Sequence, residues 1–108
     1  MFYTNKLKDY YEFENEEEVN DFLSNHAYLM EILYDAPTPI HNVFGNDVKL
    51  VLEIAHYIDD GDEELFIIIK SHYDAETAAK LNKELFYKWF VNIEHKANGC
   101  LNFDEEPA

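Results

Sequence analysis

Hydrophobic positions recur along the chain with two periods, and the changes between them divide it into elements. Val19, Phe22, Leu23, Leu29, Met30 and Leu33 repeat at helical spacing. Asn15 followed by Glu16-Glu17-Glu18 is a helix start, because Asn caps, Glu18 occupies the capping-box position and three carboxylates favour the positive end of the helix dipole. Ser24-Asn25 offers a second cap, so 16–34 reads as two short helices with a bend between them or as one bent helix. Asp35-Ala36-Pro37-Thr38-Pro39 ends this segment, since proline cannot continue the hydrogen-bond ladder. Thr38-Pro39 then opens a short helical turn over 39–44, closed by Gly45.

The period next becomes two. Leu50, Leu52 and Ile54 alternate on one face of a strand, and Leu65, Ile67 and Ile69 do so on another. Asp60-Gly61 between them predicts a two-residue hairpin turn, which pairs Ile54 with Ile67 and Leu52 with Ile69. The opposite face then pairs Ala55 with Phe66, Glu53 with Ile68 and Val51 with Lys70, and is half apolar. Asp74 caps a helix over roughly 75–96, in which Ala78, Ala79, Leu85, Phe86, Trp89, Phe90 and Ile93 share an apolar arc. Asn82 falls inside that arc and needs a partner if buried. Asn98-Gly99 ends the helix, and Cys100-Leu101-Asn102-Phe103 reads as a third strand. Residues 1–14 form an N-terminal arm, irregular or briefly extended against the domain; 15–103 form a single domain, and 104–108 a solvated acidic tail. The order α-(α)-β-β-α-β predicts an α+β two-layer sandwich. A right-handed crossover through the long helix gives a three-stranded, mainly antiparallel sheet in the order 2-1-3.

Composition changes this picture mainly through charge. The 108 residues suit one domain, and 47% hydrophobic with 16% aromatic content is that of a folded globule. Against 23 Asp and Glu stand 8 Lys and no Arg, a formal net charge of −15. Nucleic-acid binding by counterion release and attachment to an anionic membrane are both disfavoured by that sign. No apolar run approaches the ~20 residues of a membrane span, and Met1-Phe2-Tyr3-Thr4-Asn5-Lys6 lacks a secretory signal. A lone Cys100 forms no intramolecular disulfide and no zinc cluster. The expectation is a soluble cytoplasmic protein with no cofactor and no metal.

The charge is unevenly placed. Between Lys8 and Lys49 lie ten acidic residues and no lysine, and the 59–64 segment adds five acids in six residues. The long helix is nearly balanced, with Lys80, Lys83, Lys88 and Lys96 against Asp74, Glu76, Glu84 and Glu94. This points to a non-enzymatic interaction module that binds a basic partner protein through Glu16, Glu17, Glu18, Asp21, Asp59, Asp60, Asp62 and Glu63, with Tyr87 as an exposed aromatic anchor. A sharper version is a nucleic-acid mimic or antitoxin-like inhibitor whose carboxylates stand in for phosphates. The half-apolar sheet face offers a surface for a homodimer. A small hydrolase-like enzyme is the alternative, using Glu53, the carboxylate set among apolar strand residues, or one of His26, His41, His56, His72 and His95. The acidic 59–64 run lacks the spacing of a calcium loop.

Several motifs share a pattern with a family of small bacterial proteins, common in cyanobacteria, that carry no assigned activity. They are Phe22-Leu23-Ser24-Asn25, Leu50-Val51-Leu52-Glu53 on the first strand, the acidic hairpin, Trp89-Phe90 late in the capped helix, and Gly99-Cys100-Leu101. From Phe22 onward the chain resembles that family over about 80 residues, departing at His26, where proline is common, and at Phe86, where a polar residue is expected. The resemblance implies the α+β fold and carries over no catalytic residue.

Overall fold

The computed structural model describes residues 6–59 and 61–108. Its helices are α1 (Glu16–Asn25), α2 (Leu29–Asp35), α3 (Pro37–Phe44), α4 (Ala75–Leu85) and α5 (Val91–Ala97), the last two joined by a π turn at Phe86–Phe90. Its strands are β1 (Glu12–Phe13), β2 (Lys49–His56), β3 (Glu63–Ser71) and β4 (Leu101–Pro107). They form one sheet in the order β1-β2-β3-β4, parallel at both outer pairs and antiparallel at the central one.

The expected three-stranded order is corrected here. The outer edge of β2 is occupied by β1, an extended piece of the N-terminal arm in register with Val51 and Leu52. That leaves the far edge of β3 for the last strand, so the crossover returns beside the strand it left. The sheet is therefore mixed, not mainly antiparallel. The acidic tail, though largely exposed, is not free of the sheet. Residues 104–107 continue β4, pairing as far as Ser71 with Pro107, where the Ser71 hydroxyl donates to the Glu105 carboxylate and Lys70 meets Glu106 at 2.8 Å.

The hairpin keeps its expected face but shifts its register by two residues. Leu52 pairs with Ile67 and Ile54 with Leu65, and a loop over 57–62 replaces the two-residue turn. A turn at Asp60-Gly61 would have set Asp59 directly opposite Asp62, and like charges placed so are destabilising. The wider loop closes through Tyr57 N–H to the Asp62 carbonyl at 2.9 Å and Gly61 N–H to the Tyr57 carbonyl at 2.9 Å, with Gly61 at φ 73°. A slip of two preserves which side chains face inward, because the side-chain period of a strand is two.

Leu50, Leu52, Ile54, Leu65, Ile67, Ile69, Leu101 and Phe103 cover one face of the sheet, and the helices bury that face. Val19, Phe22 and Leu23 contribute from α1, whose Asn15 cap accepts from the Glu18 N–H at 3.2 Å as expected. The segment after it is two helices with Ala36 alone between them, and Ala36 keeps right-handed helical dihedrals in front of Pro37. Proline at the first position of α3 lacks an N–H that would have gone unused within α3 itself. It does deprive the Leu33 carbonyl of its donor four residues on, and the buried Tyr11 hydroxyl supplies one at 2.7 Å.

Asp74 caps α4 by accepting from Thr77 N–H at 2.8 Å. Beyond Leu85 the helix departs from its expected uniform pitch: Val91 N–H reaches the Phe86 carbonyl five residues back. Ala78, Leu85, Phe90 and Ala97 are all buried, spaced by seven, five and seven residues. At about 100° per residue a regular helix would turn Ala97 about 100° away from Ala78, and the one residue absorbed by the π turn removes that error. Trp89 and Phe90 thereby both pack on Phe103, with ring centroids 6.0 and 5.2 Å away. Ala79 is exposed and Phe86 half-buried, so the expected arc holds only in part. Asn82 keeps a buried side-chain oxygen without a donor.

Candidate interaction site

The first turns of α1 and the loop joining β2 to β3 meet at one end of the molecule. Glu17, Glu18 and Asp21 project from α1 into a cavity of about 500 Å³ that Glu63 closes from the start of β3. Phe22, His26 and Glu63 also wall a second, adjoining cavity of about 660 Å³, whose far side carries Asp62, Glu64, Gly99 and Cys100. Two acidic stretches separated by some forty positions of sequence thus line one continuous depression.

His56 holds the two stretches together. Its Nε2 lies 2.7 Å from a Glu18 carboxylate oxygen and its Nδ1 lies 3.1 Å from a Glu63 carboxylate oxygen. The side chain is half-exposed, and such a pair contributes about 0–1 kcal/mol. His26 stacks on Phe22 at 4.0 Å between centroids, its Nδ1 2.8 Å from the Phe22 carbonyl oxygen. Tyr57 donates to the Glu64 carboxylate at 2.6 Å. On the far wall, a hydrogen bond to Cys100 is the main cause raising the Tyr28 phenol above its ordinary pKa.

The remaining anticipated residues that the structure describes lie apart from this depression. Glu16 pairs with Lys8 at 2.5 Å, and Asp59 is exposed in the loop, lining neither cavity. Asp60 lies outside the described residues. Tyr87 is 63% exposed on the π turn, edge-on to Phe86, and also lines neither cavity. Sequence reasoning left Glu64 out and placed His56 only among the candidate catalytic histidines, not between the acidic stretches. With the hairpin register displaced by two, His56 faced Leu65 on paper instead of Glu63.

Glu53 is half-buried on the sheet face opposite the helices and borders neither cavity. Among the described residues no group of three or more His, Cys, Asp or Glu side chains is arranged to hold a metal ion, and no helix is long and apolar enough to cross a membrane. No family model, curated protein or solved structure matches the chain.

Proposed function

We propose that the protein is a non-enzymatic interaction module that binds a basic partner protein through the acidic depression between α1 and the β2–β3 loop. The observation that carries this reading is the convergence of Glu17, Glu18, Asp21, Asp62, Glu63 and Glu64 on adjoining cavities. Complementary fields of that kind steer a cationic partner and fix its orientation. Ile58 strengthens the reading. It stands 97% exposed at the loop tip beside Asp59, an apolar side chain held in water where a partner's contact would cover it.

The test is a salt-graded capture from lysate of the source organism with the immobilised wild-type chain and a Glu17→Lys/Asp21→Lys/Asp62→Lys variant whose circular dichroism matches wild type. The expected result is a basic protein held by wild type at low salt, released at high salt and not held by the variant. Equal capture by both chains, or capture indifferent to salt, overturns the reading.

A further inference from the structure

Away from the depression, two helical faces wall a third cavity, of about 410 Å³, that shares no residue with the other two. One face carries Tyr28, Glu31, Ile32 and Asp35, from α2 and its cap, at offsets of three, four and seven that set them in one row. The other carries Trp89 from the π turn, with Ile93 and Lys96 from α5 at offsets of four and seven. Ile32 and Trp89 are buried, Ile93 is half-buried and Tyr28 is 46% exposed. The walls are fixed by contacts of their own. Trp89 packs edge-on against Phe90 at 5.6 Å between centroids and tilts on Phe103 at 6.0 Å, and the Tyr28 hydroxyl is hydrogen-bonded to Cys100. π turns inside helices recur at functional sites, and this one places Trp89 on the cavity wall.

The charges on these walls are costly to the fold as they stand. Glu31 and Asp35 are four positions apart on α2, where like charges oppose the helix, and Asp35 is its last residue, at the negative end of the dipole. No basic residue in that last turn offsets them. Lys96 lines the same cavity and still makes no ion pair among the described residues, whereas Lys8, Lys49, Lys70, Lys80 and Lys88 each meet a carboxylate. Two carboxylates and one ammonium are thus held apart over an apolar floor. The complementary ligand carries an ammonium for Glu31 and Asp35, a carboxylate for Lys96 and an apolar body for Ile32, Trp89 and Ile93. A plain amine would leave Lys96 facing another cation, and a plain carboxylate would meet two acids. Small-molecule sites run from about 300 to 1,000 Å³ and combine apolar walls with a few polar groups, as this cavity does. An aromatic body suits Trp89 and Tyr28, since rings attract one another at centroid separations of about 4.5–7 Å.

We infer that the cavity between α2 and α5 is a binding site for a free α-amino acid with a large apolar side chain, separate from the α1–loop depression. The probe is L-phenylalanine, titrated into the ¹⁵N-labelled full chain beside three analogues. L-alanine lacks the ring, phenethylamine lacks the carboxylate and phenylpropionate lacks the ammonium. Phenylalanine saturates with shifts centred on the Trp89 indole N–H and the amides of Glu31 and Ile93, and each analogue binds at least about tenfold more weakly. Glu31→Gln/Asp35→Asn weakens phenylalanine by about tenfold and tightens phenylpropionate. Lys96→Met weakens phenylalanine to a similar extent and leaves phenethylamine at least as tight as in wild type. Glu17→Lys/Asp21→Lys/Asp62→Lys binds phenylalanine as wild type does, so failure of this site and failure of the proposed function are told apart. Absence of saturable shifts at millimolar phenylalanine, shifts centred on α1 and the β2–β3 loop, phenethylamine binding as tightly as phenylalanine, or loss of phenylalanine binding in that last variant overturns the inference.

Discussion

Pro37 and Tyr11 show how a single residue in this chain creates the need that another meets. Proline removes the donor that the Leu33 carbonyl would have used, and the phenol of Tyr11, 22 positions earlier, supplies it inside the core. Tyr11→Phe leaves that carbonyl unpaired and is expected to lower unfolding free energy by about 1–3 kcal/mol in urea denaturation. The same burial gives a dependence on alkaline pH. Desolvation pushes the Tyr11 phenol well above its ordinary value of 10.0, so the native state holds a proton that the unfolded chain releases. Its contribution is complete below that ordinary value and falls as pH rises past it. Urea midpoints measured from pH 9 to 11 should decline in wild type and decline less steeply in Tyr11→Phe. Asp74 has the opposite sign. Bonding to Thr77 holds its carboxyl below the usual range, so its cap is present above that range and is lost as acid titrates it. Both caps, Asn15 and Asp74, were legible because capping is local chemistry. The Tyr11 hydroxyl was not, because nothing in its neighbourhood along the chain points to residue 33.

At the scale of elements, what repeats with a period was readable and what depends on choosing between edges was not. Leu50, Leu52, Ile54, Leu65, Ile67 and Ile69 announce one buried face whatever the register, and that face is the core. The register rested on Asp60-Gly61 as a tight turn, where charge repulsion favours the wider loop. The sheet order depended on β1, two residues with no periodicity of their own, and on Asp104-Glu105-Glu106, acids whose partners Lys70 and Ser71 lie on another strand. The edge of β4 supplies a prediction of its own. Asn102 and Asp104 satisfy outward backbone donors that would otherwise template another strand, and Pro107 offers none. Asn102→Ala/Asp104→Ala frees two donors and is expected to associate with rising concentration in sedimentation velocity, where wild type stays monomeric; two monomers would refute the capping role. The π turn makes a second prediction. Deleting Tyr87, 63% exposed, removes the residue that the π turn absorbs and restores the regular pitch with Ala97 still in line with Ala78. Deleting Tyr87 and Lys88 together turns Ala97 about 100° out of the core and costs about 3 kcal/mol or more. Tyr87→Ala removes the same ring without changing the pitch and should stay within about 0.5 kcal/mol of wild type.

For the whole molecule, the net charge of −15 matters through where it sits. Spread evenly, it would act as a uniform self-repulsion, and any two substitutions of equal charge would relieve it equally. The fold instead brings the lysine-free stretch before Lys49 against the acidic loop, with His56 between them, while α4 and the π turn pair Lys80 with Glu76 and Lys88 with Glu84. At 0.1 M salt repulsion beyond about 10 Å is already largely screened, and further salt shortens that length to about 3 Å at 1 M, so the remaining response comes from the close carboxylates within the depression. The melting temperature of wild type should therefore rise by several degrees between 10 mM and 0.5 M NaCl, since about 1 kcal/mol corresponds to about 4–8 °C in a domain near this size. Glu17→Lys/Asp21→Lys and Glu76→Lys/Glu94→Lys each add four units, taking −15 to −11. Their salt responses should differ. The first pair relieves the depression and flattens the dependence on salt; the second breaks the Glu76–Lys80 contact on a balanced helix and leaves the dependence close to that of wild type. Calorimetric scans of the three proteins across that salt range decide the matter, because equal slopes for the two variants would mean that only total charge counts and that the fold does not concentrate it.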